Sequence, residues 1–421
     1  MIGWLAMVLF GGLLSGLAMV GFLVLKKAAE PLMVSLWVLG AVLAGWGIFQ
    51  LAAYPPRTGV LVVTALFGVA AFIGGYGLGS AILATIGTKV SPATKLSVTS
   101  ASTADSRAAA ILVACVDATE YEPEVVHEEL ERWGSLVSSR VGLLVTPLLY
   151  ATHKARYRTL GGESPGYAQA KELAENVEAI VRTESDIDTV LMATCTRSQS
   201  PDRVIAGLAK EGFRRFVVSG VSVGESYAID QAKSQIDQME PASEGLRVAY
   251  TPAFFGADRL STIIAQRILS RVATQDAPGV ALLMNGQPEH HRRTHEIFDI
   301  QEATFCSRIR LQLTEGGIAP EFVRVCSLEW RDPDLTETIR HLAAYGCENI
   351  LVAPVCMPFD TLSARIDIQL AIRRARVADT SAVHLLNCWA TEPEVPRILA
   401  KAIMDSYSEV VQQKASSGAD H

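Results

Sequence analysis

The chain has 421 residues, 49% of them hydrophobic, and a formal net charge of −7. That length carries more than one domain, and the acidic balance excludes a basic nucleic-acid footprint. The seven cysteines (Cys115, Cys195, Cys306, Cys326, Cys347, Cys356 and Cys388) form no Cys-x-x-Cys pair. This excludes an iron–sulfur or structural zinc spacing, and the odd, scattered set suits reduced thiols in a cytosolic domain better than a disulfide framework.

Residues 1–88 read as a membrane anchor. Three uncharged runs, 2–25, 31–53 and 59–88, are separated by 26–30 (KKAAE) and 54–57 (YPPR). Each is long enough to cross a hydrocarbon core of roughly 30 Å as a helix. The first run has no basic n-region and no small-x-small cleavage site, so it reads as a span and not as a signal peptide. Lys26 and Lys27 favour a cytoplasmic first loop, Lys89 and Lys95 a cytoplasmic exit, and only Arg57 opposes them. An integral membrane protein with its N-terminus outside and its globular part in the cytoplasm follows. Gly12-x-x-x-Gly16 and Gly75-x-x-x-Gly79 either bring helices close or reflect the abundance of glycine in membrane helices. With no charge inside a run, the part reads as an anchor and not as an ion path. Residues 89–107, rich in Ser, Thr and Ala without an apolar period, read as a linker.

From residue 108 onward, apolar runs alternate with amphipathic stretches. Strands are expected at 110–116, 189–193, 215–219, 248–251, 279–284, 322–325, 349–355 and 383–386. Helical patterns fill the gaps, at 165–182, 202–211, 257–273, 335–345 and 394–407. Such alternation means α/β layers with parallel sheets. An internal echo supports two similar lobes: 208–218 (LAKEGFRRFVV) resembles 342–352 (LAAYGCENILV), each a helix closing at Gly before a buried strand. The lobes are placed at 108–278 and 279–411, facing each other across a cleft, with a tail at 412–421. Residues 279–293 (GVALLMNGQPEHHRR) read as a buried strand running into a loop. Ligands of open α/β sheets bind beyond such strand ends, so Asn285 and the cluster Glu289, His290, His291 and His295 stand where chemistry is expected.

Residues 154–165 (KARYRTLGGESP) are similar to the Arg-Tyr-x-x-Ile-Gly-Gly-x-Ser-Pro signature of ferrochelatases, which insert ferrous iron into protoporphyrin. Asn285-Gly-Gln-Pro288 lies where that family has His-x-x-Pro. Phe298-x-x-Gln301, Thr304, Trp330-x-x-Pro333 and Leu386-Asn387 follow its later motifs. The resemblance covers 108–411 and implies two Rossmann-like lobes of the class II chelatase type, here preceded by three transmembrane helices. This sequence departs from the family at the metal-handling His, replaced by Asn285. The family's Ser-Asp-His-x-x-Glu segment falls on 359–363 (FDTLS), which keeps Asp360 and places Thr361 and Ser363 at the His and Glu.

The resemblance implies a substrate arm made by Arg156, Tyr157, Arg158 and Ser164. Guanidinium binds propionate carboxylates bidentately; Ser164 contacts a propionate or caps the helix starting at Pro165. Asp360 becomes the proton acceptor, or else an N-cap, and Asn285 a metal or pyrrole contact. His291 and His295, four apart on one helix face, have the spacing of metal ligands or of a solvated polar face. His153, His341 and His384 are isolated. Ferrous iron enters as substrate, and no resident cofactor is implied. The partners are protoporphyrin or haem and membrane lipid. Three functions follow: a divergent, membrane-anchored ferrochelatase, a catalytically degenerate porphyrin- or haem-binding membrane protein, or a metallating enzyme for another tetrapyrrole that uses the His290–His295 cluster.

Overall fold

The computed structural model describes residues 2–53, 58–87, 107–132, 140–196, 199–288, 291, 296–328, 330–377 and 381–417. The linker at 88–106 lies outside them. The chain divides into two compact units, residues 1–91 with 120–163, and 92–119 with 164–421.

The first unit holds three helices, α1 (Ile2–Val24), α2 (Glu30–Ala53) and α3 (Thr58–Gly87). All three are long and apolar enough to cross a membrane. Several of their glycines let the helices pack closely, whereas Gly3, Gly45, Gly59, Gly74 and Gly77 face open space. A Cβ on Gly16 would collide with the Phe72 carbonyl, one on Gly75 with that of Leu13, and one on Gly11 with that of Gly40. Two further helices, α4 (Pro123–Arg132) and α5 (Arg140–Thr159), complete this unit, with α5 packed on α1 and α3. The buried residues of α5 include Gly142, Thr146, Tyr150, Lys154 and Tyr157, the spacing of one helix face, with Pro147 and His153 beside them. Lys154 Nζ and the Tyr121 hydroxyl donate to the carbonyls of Phe22 and Val24, at 2.9 and 2.5 Å. They satisfy acceptors that the end of α1 leaves open.

The second unit contains two four-stranded parallel sheets. The first comprises β1 (Arg107–Ala114), β2 (Thr189–Thr194), β3 (Phe213–Gly220) and β4 (Arg247–Tyr250), ordered β2-β1-β3-β4. The second comprises β5 (Pro278–Met284), β6 (Val323–Ser327), β7 (Asn349–Ala353) and β8 (Ala382–Leu385), ordered β6-β5-β7-β8. The two orders are the same, as the internal echo requires. Between the strands lie α6 (Pro165–Glu184), α7 (Pro201–Lys210), α8 (Tyr227–Asp237) and α9 (Asp258–Val272) in the first lobe. The second lobe has α10 (Glu296–Glu315), α11 (Leu335–Ala344), α12 (Ile368–Ala375) and α13 (Val395–Ser417).

Alternating residues of the central strands enter different cores. Ala109, Ile111 and Val113 join the outer core of the first lobe, and Ala281 and Leu283 that of the second. Ala108, Ala110 and Leu112 meet Val280 and Leu282 in one shared inner core. The inner faces of the lobes are therefore fused by packing, so the expected cleft cannot run between the sheets, and the edges at the carboxyl ends of the strands remain. Helix α13 crosses back to pack on α6, β3 and β4. It extends to Ser417, so most of the expected tail is helical.

Cys115 and Cys195 are joined as a disulfide, with Cα atoms 5.3 Å apart. This corrects the expectation of seven reduced thiols. The cause lies in the β1–β2 register: Ala114 is opposite Thr194, which sets the next two residues side by side at the spacing a disulfide needs. The other five cysteines are free and buried.

Candidate functional site

The loop after β7 carries Asp360, which is 4% exposed. Its Oδ2 accepts from Gln169 Nε2 at 2.9 Å and Arg365 Nη2 at 3.0 Å, and its Oδ1 from the Cys388 amide at 3.2 Å. The Asp360 amide donates to Gln169 Oε1 at 2.9 Å. Asp360 thus ties α6 of the first lobe to the loops after β7 and β8. The helix cap is Thr361, whose Oγ1 accepts from Ala364 N at 3.3 Å. The next turn, Ser363–Asp367, is π-helical before it continues into α12, a distortion common at functional sites.

A second acid makes a matching connection. Asp117, just beyond β1, accepts from Ser164 Oγ at 3.1 Å and from Leu362 N at 2.6 Å on the same oxygen, Oδ2. Ser164 occupies the N-cap position of α6 with Pro165 following, but its hydroxyl turns to Asp117 and makes no cap. The Ser164 amide donates to Thr119 O at 2.8 Å. Ser164 and the Asp360 loop are therefore joined through Asp117. A 360 Å³ cavity adjoins this region, lined by Gln169, Glu172 and Asn176 on one side and Thr391 and Glu392 on the other.

Asn285 stands exposed at the end of β5. Beneath its loop is Glu302 of α10, 2% exposed, accepting from the amides of Asn285 (3.4 Å) and Gly286 (3.1 Å). Burial pushes the Glu302 carboxyl up to about 8, against the pull of those two amides. One turn back, the buried Asp299 pairs with Arg331 Nη2 at 2.9 Å, and Gln301 Oε1 accepts from the Glu225 amide at 2.7 Å. Burial, with Cys306 and Glu302 beside it, raises the Cys356 thiol well above the usual thiol range.

The remaining expected site residues are dispersed. His291 stacks on Tyr227 with ring centroids 3.9 Å apart; His295, Glu289 and His290 lie outside the described residues. Arg156, Tyr157 and Arg158 belong to the first unit. There Arg158 pairs with Glu30, which also takes Lys154 Nζ at 2.6 Å. Tyr157 packs edge-on against Tyr121 at 6.1 Å. Among the described residues, no three His, Cys, Asp or Glu side chains converge as a metal-binding group.

Two matching parallel-sheet lobes joined by polar side chains at the carboxyl ends of their strands define a chelatase-type α/β protein. The sequence profile of the Ferrochelatase family matches residues 126–407, about two thirds of the chain, and the chain belongs to that family. Among solved structures it is similar to SirB from Bacillus subtilis with Fe3+, at 12% identity and a TM-score of 0.46, covering 73% of this chain and 98% of that one. The cobalt complex of the sirohydrochlorin chelatase SirB from Bacillus subtilis subspecies spizizenii gives 12% identity and a TM-score of 0.41, covering 72% and 96%. DR2241 from Deinococcus radiodurans, a multi-domain protein similar to chelatases, gives 12% and 0.41, covering 71% of this chain and 55% of its own. No curated protein matches by sequence.

Proposed function

We propose that this protein is a membrane-anchored ferrochelatase-type enzyme that inserts ferrous iron into protoporphyrin. Insertion takes one ferrous ion in and two pyrrole protons out. It needs a contact for the metal or the pyrrole nitrogen and an acceptor for protons. In this reading Asn285, exposed at the end of β5, supplies the contact through its amide oxygen. Asp360 is the proton acceptor: a carboxylate has about four acceptor positions, and three are taken by Gln169, Arg365 and Cys388. The Arg156–Ser164 arm recognises the propionates, and the three apolar helices hold the enzyme beside lipid, where an apolar macrocycle partitions. The N-terminus lies outside and the chelatase lobes face the cytoplasm. The observation that carries the reading is the family match over 126–407, together with an acid retained in the loop beyond β7.

Two observations favour a second reading, a catalytically degenerate porphyrin- or haem-binding protein. Asp360 is committed to joining the lobes, and Arg158 is committed to Glu30. One experiment separates the readings. The full chain in detergent micelles is given protoporphyrin with ferrous iron or zinc, and insertion is followed by absorbance. Turnover that is lost in Asp360→Ala while porphyrin still binds supports the enzyme. A porphyrin Soret shift without turnover, weakened in Arg156→Ala, supports the binding protein. If neither signal appears, both readings fail.

A further inference from the structure

The disulfide sits beside the junction of Ser164 and the Asp360 loop, and the chemistry above gives the disulfide itself no role. Cys115 is exposed and Cys195 half-buried, whereas the other five cysteines are buried. Burial pushes the thiols of Cys326, Cys347, Cys356 and Cys388 up, which keeps them unreactive. Only the 115–195 pair is open to small thiol reagents. Two residues beyond Cys115 is Asp117, which holds both Ser164 Oγ and Leu362 N. Two further on, Thr119 O takes the Ser164 amide. The segment 115–119 is thus fixed to β2 at one end and at the other grips the start of α6 and the Asp360 loop.

We propose that Cys115 and Cys195 form a reversible thiol–disulfide site that locks this junction. Oxidation proceeds by exchange with a small disulfide of the glutathione type. The Cys115 thiolate attacks one sulfur of that disulfide and expels one thiolate. The Cys195 thiolate then attacks the Cys115 sulfur and expels the second. Two protein thiols and one small disulfide become one protein disulfide and two small thiols, with two electrons passing to the small disulfide. Reduction is the same pair of steps in reverse. The oxidised form restrains the segment 115–119, and so favours the Asp117 and Thr119 hydrogen bonds. The reduced form releases that restraint.

The test uses the full chain in detergent micelles, incubated with oxidised or with reduced glutathione. After acid quench and alkylation with N-ethylmaleimide, intact mass counts the free thiols. The oxidised sample is expected to carry two alkyl groups fewer, both mapped to Cys115 and Cys195. Hydrogen exchange by mass spectrometry is then read on peptides covering 115–120, 160–166 and 358–366. Exchange is expected to be roughly tenfold faster in the reduced form at Ser164 and Leu362. A Cys115→Ser, Cys195→Ser double variant should match the reduced form under both conditions. A pair that glutathione cannot reduce, a pair that oxidised glutathione cannot couple, or equal exchange in both forms would each overturn the proposal. None of these readouts depends on metal insertion.

Discussion

Glu302 shows what a single residue in this sequence hides and what it announces. The residues of α10 that enter the shared core follow a helical stripe, Phe305, Cys306, Ile309 and Leu313, and Phe298 is buried two turns earlier. Glu302 falls on that same stripe. An acid on an apolar face is costly unless it has a task, and here its task is to hold the Asn285–Gly286 loop. The strand and loop at 279–288 are legible because a buried parallel strand is an uninterrupted apolar run. The acid beneath the loop becomes visible only when the stripe is drawn. Its carboxyl rises from 4.5 to about 8 on folding. Between those values the folded chain holds a proton at Glu302 that the unfolded chain releases, so the stability Glu302 contributes falls as pH rises from about 5 to about 8 and levels off outside that window, while the buried His153, lowered to about 4, acts in the opposite sense below its ordinary value. That contribution should drop by about 5 kcal/mol. Urea midpoints measured across this range should therefore have a more negative pH slope for the natural chain than for Glu302→Gln, whatever the variant's absolute stability. Parallel slopes in the two proteins would remove Glu302 as the cause.

Among the elements, the eight strands are the most legible. The expected runs at 189–193, 279–284 and 349–355 fall on β2, β5 and β7, differing by a residue or two at their ends. β5 and β7 are covered on both faces, so composition alone marks them, whereas β2 lies at the sheet edge with Leu191 exposed. Helix α5 is the opposite case. It carries the family's Arg-Tyr motif, yet its partners are fixed by contacts more than a hundred residues away. Glu30, read from the sequence only as part of a separator between apolar runs, is the acid that Lys154 and Arg158 share. No periodicity records such a pairing. Lys154 is 7% exposed at its side chain and Glu30 18%, so this pair is partly buried, unlike the half-exposed Arg158. Removing one partner of a buried pair leaves the other charge without compensation. Glu30→Gln should cost about 2–4 kcal/mol, and the double variant Glu30→Gln, Lys154→Met should recover most of it. Thermal unfolding of the four proteins in one detergent gives the cycle. A double variant no more stable than Glu30→Gln would mean that Lys154 is held by the Phe22 carbonyl and not by the acid.

At the scale of the whole molecule, chain order and compact units disagree. The sequence divides naturally at the linker, with an anchor before it and two lobes after it. The structure instead gives residues 120–163 to the unit that holds α1, α2 and α3, and returns the chain to the lobes at Ser164. The physical reason lies in the composition of the cores. Among the described residues, the three apolar clusters of the lobes contain none from 1–91 and none from 120–163. The stripe Gly142, Thr146, Tyr150, Lys154 and Tyr157 is buried instead in the unit where α5 packs on α1 and α3. A chain beginning at residue 92 should therefore keep both sheets and lose its order only over 120–163. Circular dichroism should retain the parallel-sheet and helix signal of the lobes, while limited proteolysis cuts first between residues 120 and 163. In the full chain the same bonds should resist cleavage until detergent disrupts the apolar helices. Global unfolding of the shortened chain would show that the lobes depend on the anchor. A protected 120–163 segment would show that α4 and α5 hold their shape without it. The intermediate outcome, ordered lobes with a cleavable arm, would make the proposed substrate arm of this ferrochelatase family member a structure that only its three apolar helices complete.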